Sequence, residues 1–197
     1  MKSENLASRV NSFFVTAFGL LGLWASFMLL NSELKLLKDP AGELGCDFNP
    51  LVACSTSLIA PESSLFGPPN SIIGLIFFTV FVTLGVFLMS RVQFPRWIWI
   101  GWLTGSVAGV AYVIYFACLS VFRFKTLCPY CMLIWLSFLG IAVIAWCEAA
   151  YVGVLGEKAV GLGQSVRRLW WLVLIAIVLL LFLFVFVGLR DKFAMVL

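Results

Sequence analysis

Leu169–Leu189 reads LWWLVLIAIVLLLFLFVFVGL, 21 residues without an aspartate, glutamate, lysine or arginine. At about 1.5 Å rise per residue, a helix of that length crosses the hydrocarbon core of a bilayer. Four more charge-free stretches precede it: Ser12–Leu30, Ile72–Ser90, Trp97–Phe122 and Leu127–Cys147, of 19, 19, 26 and 21 residues. All 13 basic and 9 acidic residues fall outside these five stretches. The pattern predicts an all-α polytopic membrane protein with five spans. A hydrophobic content of 63% with only 11% charged residues excludes a solvated enzyme surface and equally excludes disorder. Histidine is absent, which removes Ser-His-Asp catalysis and histidine-ligated metals. A net charge of +4, scattered along the chain, gives no basis for nucleic-acid binding.

The first stretch follows Lys2 and Arg9 but exceeds a signal-peptide core, and Asn31-Ser32-Glu33-Leu34 offers no small-x-small cleavage site. It reads as a retained helix, with Glu33–Lys38 as an amphipathic continuation. The long connection after it is predicted to contain a short helix over Leu51–Leu58, capped by Asn49 with Pro50 at N1 and ended by Pro61. Lysine and arginine divide seven against six in favour of a cytoplasmic N-terminus.

The six cysteines carry the chemistry. Cys46 and Cys54 lie in the first loop, and Cys128-Pro129-Tyr130-Cys131 opens the fourth span. Two crossings separate the pairs, so both face one side of the membrane in either orientation. Disulfides persist on the oxidising side, which places that face outside the cytoplasm. Cysteines at i and i+3 of a helix share a face within bonding reach. Cys128 at the N-cap, with Pro129 at N1, meets free N–H groups and the helix dipole, both of which favour a thiolate. Arg123 and Lys125 are expected to add positive charge there. Static structural disulfides in a membrane scaffold and a four-cysteine zinc site are the alternatives. Cys-x-x-Cys makes a poor structural bridge, and zinc needs two closely spaced pairs. Cys118 and Cys147 have no partner at motif spacing and read as small buried hydrophobes.

Cys46 and Cys54, Leu65-Phe66-Gly67, Asn70-Ser71-Ile72-Ile73-Gly74 and Cys128-Pro129-Tyr130-Cys131 together resemble the vitamin K epoxide reductase family over about Ser12–Trp146. The fifth span and Cys46-Asp47-Phe48-Asn49-Pro50 are more similar to its bacterial branch. The resemblance implies a four-helix transmembrane bundle around a quinone, menaquinone or ubiquinone, in residues 1–150, with an extracytoplasmic loop over 31–71. Residues 151–197 form a linker and the fifth helix. It implies a bacterial cytoplasmic-membrane enzyme that reoxidises an extracytoplasmic thioredoxin-fold protein. By position, Cys46 exchanges with that partner, Cys54 with Cys128, and Cys131 faces the quinone. Asn70 corresponds to an asparagine that hydrogen-bonds a quinone carbonyl. Trp135 stands where the vertebrate branch has a tyrosine with a similar task. Ala60 stands where the family usually has serine or threonine, leaving Ser57 or Ser63 to supply a hydroxyl. Some relatives carry a fused thioredoxin-like domain; here the donor is expected to be a separate protein. Reduction of a quinone epoxide is the rival activity within the same class.

Overall fold

The computed structural model describes residues 2–40, 42, 44–190 and 192, with side chains left aside for 2–8, 157, 158 and 162. Among the described residues six α-helices follow in order: α1 (Lys2–Lys38), α2 (Ser55–Ile59), α3 (Asn70–Met89), α4 (Arg96–Leu119), α5 (Pro129–Tyr151) and α6 (Glu157–Gly188). A 3₁₀ turn covers Pro61–Ser64 and a π-helical turn covers Ser120–Phe124. All except α2 are long and apolar enough to cross a membrane. The chain is a multi-pass membrane protein, as its charge-free stretches predict. The Glu33–Lys38 extension of the first helix is also present.

Helix α5 is the axis of the bundle, packing against α1, α4 and α6, while α1 also runs along α3. In its most apolar window 56% of residues are buried, against 11% for α6, which lies at the periphery. Lipid is as apolar as leucine, so helices in a bilayer associate through close packing rather than by escape from water. Small residues allow that packing here. A Cβ on Gly22 would overlap the ring of Phe78, and one on Gly109 the ring of Phe138. Phe77 continues the contact between α3 and α5, its ring 5.1 Å from that of Phe138.

At the end where α3 turns into α4, the rings of Phe81 and Trp102 are 5.6 Å apart, and Trp102 stacks on Trp99 at 5.5 Å. Polar groups tie the helices at the same end. Glu148 on α5 accepts from Asn11 of α1 and, at 2.9 Å, from Nε of Arg167 on α6. The Arg167 guanidinium lies 4.0 Å from the ring centre of Tyr151. Asn11, Glu148 and Arg167 are all buried, so the charges are paired where an unpaired one would be costly.

The first loop differs from expectation. The helix begins at Ser55 with Cys54 at its N-cap, not at Leu51. Asn49 does accept N–H groups, from Leu51 at 2.9 Å and Val52 at 2.8 Å, but in a turn. The residues after it are extended because Leu51 and Ala53 bond the backbone of Leu127 on either side of a parallel Val52–Leu127 bridge. Pro61 opens the 3₁₀ turn that follows α2.

Candidate active site

The Leu127 clip brings the two cysteine pairs together. Leu127 N–H donates to Leu51 at 2.8 Å, and Ala53 N–H donates to Leu127 at 3.1 Å. Each chain continues into a cysteine, Cys54 from Ala53 and Cys128 from Leu127. Lys125, in the left-handed region at φ 52°, reverses the chain after the π-helical turn so that Leu127 can pair. Asp47 completes the local frame. Its Oδ1 accepts from the N–H of Cys54 at 2.6 Å and of Ser55 at 3.1 Å, placing a carboxylate at the start of α2.

Cys46 and Cys54 form a disulfide with Cα atoms 5.8 Å apart, while Cys128 and Cys131 are reduced. The Sγ of Cys128 lies 3.4 Å from that of Cys54. Cys128 caps α5, its sulfur accepting from the N–H of Cys131 at 3.4 Å. The Cys131 thiol holds the Cys128 pKa below the usual thiol range; burial opposes it, and backbone N–H groups of Cys131 and Tyr130 with the Ser57 hydroxyl assist. The N-cap reading thus holds, but the expected help from Arg123 does not. Its guanidinium pairs with Glu62 instead. Cys46, Cys54 and Cys128 are buried with Leu29 and Leu44 around them.

Beside Cys128 and Cys131 opens a cavity of about 310 Å³, within the size range of small-ligand sites. One end is polar: Glu33, Ser57, Ser63, Asn70, Ser71 and Ser120 line it together with the two cysteines. The other end is walled by Phe77, Phe78, Gly105, Gly109, Val113 and Phe138.

Residues 13–146 match the Vitamin K epoxide reductase family. The chain belongs to that family. A comparison with curated protein sequences finds no match. Vitamin K epoxide reductase family proteins are membrane thiol–disulfide oxidoreductases and are generally quinone-linked.

All six site residues read from the family's pattern lie in this region. Asn70 and Trp135 line the cavity with Cys128 and Cys131, and Cys54 touches the latter pair through Cys128. Asn70 gives its amide N–H to the Glu62 carbonyl at 2.6 Å, while its buried Oδ1 has no partner among the described residues. Trp135 is buried between the cavity and a smaller apolar recess against Val178, Leu181 and Val185 of α6. Ser57 and Ser63 both reach the cavity, on either side of Ala60. Cys118 and Cys147 do not line it.

Sequence reasoning missed Asp47, Glu33, Ser71 and Tyr112. Ser71 donates to Glu33 at 2.8 Å, and both line the cavity. Tyr112 lines it from α4, and its hydroxyl bonds no described residue. A phenol inside an uncharged span, a signal that Tyr115 shares, was available for Tyr112; Asp47 and Ser71 stood within the family's motifs and Glu33 at the start of the amphipathic extension, with no role attached to any of them.

Proposed function

We propose that this protein is a disulfide-generating oxidase of the bacterial cytoplasmic membrane, reduced by a secreted thioredoxin-fold protein and reoxidised by membrane quinone. The observation that carries the reading is the 3.4 Å approach of Cys128 to Cys54, beside a cavity lined by Cys131. A thiol of the partner attacks Cys46, and its second thiol completes the partner's disulfide, leaving Cys46 and Cys54 reduced. Cys54 then attacks Cys128 of a Cys128–Cys131 disulfide, and Cys131 departs as a thiolate. Cys46 closes on Cys54 and releases Cys128. The described state, with the loop pair bridged and the other pair reduced, corresponds to the end of that exchange. Cys46 is 2% exposed, so partner access requires the segment around Leu44–Phe48 to move.

The cavity suits a quinone, with an apolar wall for the ring, while the unpartnered Oδ1 of Asn70 can accept from the hydroxyl of the hydroquinone product. When bound, the quinone supplies a two-electron, two-proton acceptor. Cys131 faces that space, Tyr112 offers it a hydroxyl donor, and Trp135 closes the side toward α6. Residues 1–150 are assigned as the redox unit and 151–197 as a linker and supporting helix. The cysteines are placed outside, with the N-terminus cytoplasmic.

Anaerobic titration of the reduced protein with ubiquinone and menaquinone analogues tests the reading. One equivalent of the proper quinone is expected to remove the free thiols of Cys128 and Cys131. Thiols that persist under excess of both analogues would refute quinone as the acceptor. In intact reduced cells an impermeant maleimide should reach Cys46 but not a cysteine placed at 91–96; the reverse pattern overturns the orientation.

A further inference from the structure

The proton balance at the cavity points to a residue that the cysteine pathway does not use. Closing Cys128 and Cys131 into a disulfide releases two electrons, and a quinone accepting them becomes a hydroquinone only with two protons. Cys128 caps α5 with its sulfur accepting from the N–H of Cys131 at 3.4 Å, an arrangement that favours its thiolate form, so the pair itself brings one proton, that of the Cys131 thiol. The second must enter through the cavity wall. Serine and tyrosine hydroxyls line that wall but release protons too reluctantly near neutral pH to act as the source.

Glu33 is the carboxyl that lines it among the described residues. It stands three residues beyond the first charge-free stretch, partly exposed, so water can reprotonate it. Ser71, itself 2% exposed, donates to Glu33 Oε2 at 2.8 Å and fixes the carboxyl against the cavity beside Asn70. Arg123 and Glu62 also pair at this end, and neither lines the cavity. We propose that Glu33 delivers the second proton consumed in the cavity, taking it from the aqueous loop face and passing it inward. The step balances: two electrons and one proton leave the cysteine pair, one proton leaves Glu33, and water returns a proton to the carboxylate. This rests on the quinone reading above.

The test uses the full chain in detergent with a short-chain ubiquinone analogue and menadione as probes. Three measurements are made: analogue binding by quenching of tryptophan fluorescence, trapping of the Cys54–Cys128 bridge in a Cys131→Ser background, and closure of Cys128–Cys131 on adding quinone. Glu33→Gln is expected to bind the analogue and trap the bridge as the parent does, while quinone-driven closure slows by about 100-fold. Glu33→Asp should recover part of the rate. Glu33→Ala should be rescued by added acetate in a concentration-dependent way, which a packing role would not permit. Closure by Glu33→Gln at the parent rate overturns the proposal. So does a slow Glu33→Ala that acetate fails to rescue while Glu33→Asp is equally slow. Failure of the parent chain to bind either analogue overturns the quinone assignment instead, a separate result.

Discussion

The two ends of this bundle are held by opposite means. At the end bearing Glu148, polar and aromatic contacts tie the helices: Asn11, Glu148 and Arg167 join α1, α5 and α6, and Phe81 of α3 meets Trp102 of α4, which stacks on Trp99. At the end bearing the cysteines, the walls part around a cavity. There the loop is attached by a few backbone bonds to Leu127 and by the Glu62–Arg123 pair, and Asp47 braces it internally. Thiol exchange needs sulfurs that approach and separate, whereas the cavity needs walls that stay in place. The difference teaches that one end supplies the rigidity that the other cannot have.

Removing either thiol of the motif should have the largest effect. Cys128→Ala and Cys131→Ala are expected to bring dithiol-dependent quinone reduction down to background, because a pair that cycles through a disulfide cannot turn over with one sulfur. Cys118→Ala and Cys147→Ala should retain turnover. Loss of activity in either, with the protein still folded, would show that the redox chain leaves the cysteine-bearing end.

The end bearing Glu148 should answer in stability rather than chemistry. Glu148→Ala leaves the buried guanidinium of Arg167 and the amide of Asn11 without their acceptor. A destabilisation of about 3–5 kcal/mol is expected, read from reversible unfolding in mixed micelles. Activity per folded molecule should stay close to the parent's. A drop in activity without a drop in stability would break the division between the ends.

A smaller effect is expected at the hinge of the loop. Asp47→Ala frees the N–H groups of Cys54 and Ser55, costing about 1–2 kcal/mol locally, by analogy with the loss of a helix N-cap. Formation of the Cys54–Cys128 bridge in a Cys131→Ser background should slow, measured by non-reducing electrophoresis after quenching with acid. Unchanged bridging would mean that the Leu127 clip alone positions Cys54.

The most subtle test is titration of Cys128 itself. Its thiolate fraction rises with pH, and the lowered pKa means that alkylation should level off below the pH at which an ordinary thiol does. Because the folded value is depressed, the thiolate contributes stability above the unfolded pKa, and that contribution is lost as pH falls through the folded one. Cys131→Ala removes the foremost cause of the shift and should move the alkylation midpoint upward. No movement would assign the effect to the backbone N–H groups of the helix start.

The five spans follow from the sequence alone because water and lipid sort side chains by charge before any tertiary contact forms. The Cys128 cap and its proline are equally local, since N-cap chemistry needs only the next three residues. The helix expected over Leu51–Leu58 starts only at Ser55 for a related reason. Asn49 serves an N-cap and a turn with the same short-range bonds, and the choice is made by Leu127, far along the chain. Similarly, Arg123 reads as a charge near Cys128 until Glu62 arrives from another loop and takes it. Asp47, Glu33 and Tyr112 gain meaning only when the loop, α1 and α4 surround one space. What each residue can do was written locally; which groups meet was decided by packing, because a cavity and a 3.4 Å sulfur contact are properties of distances between segments.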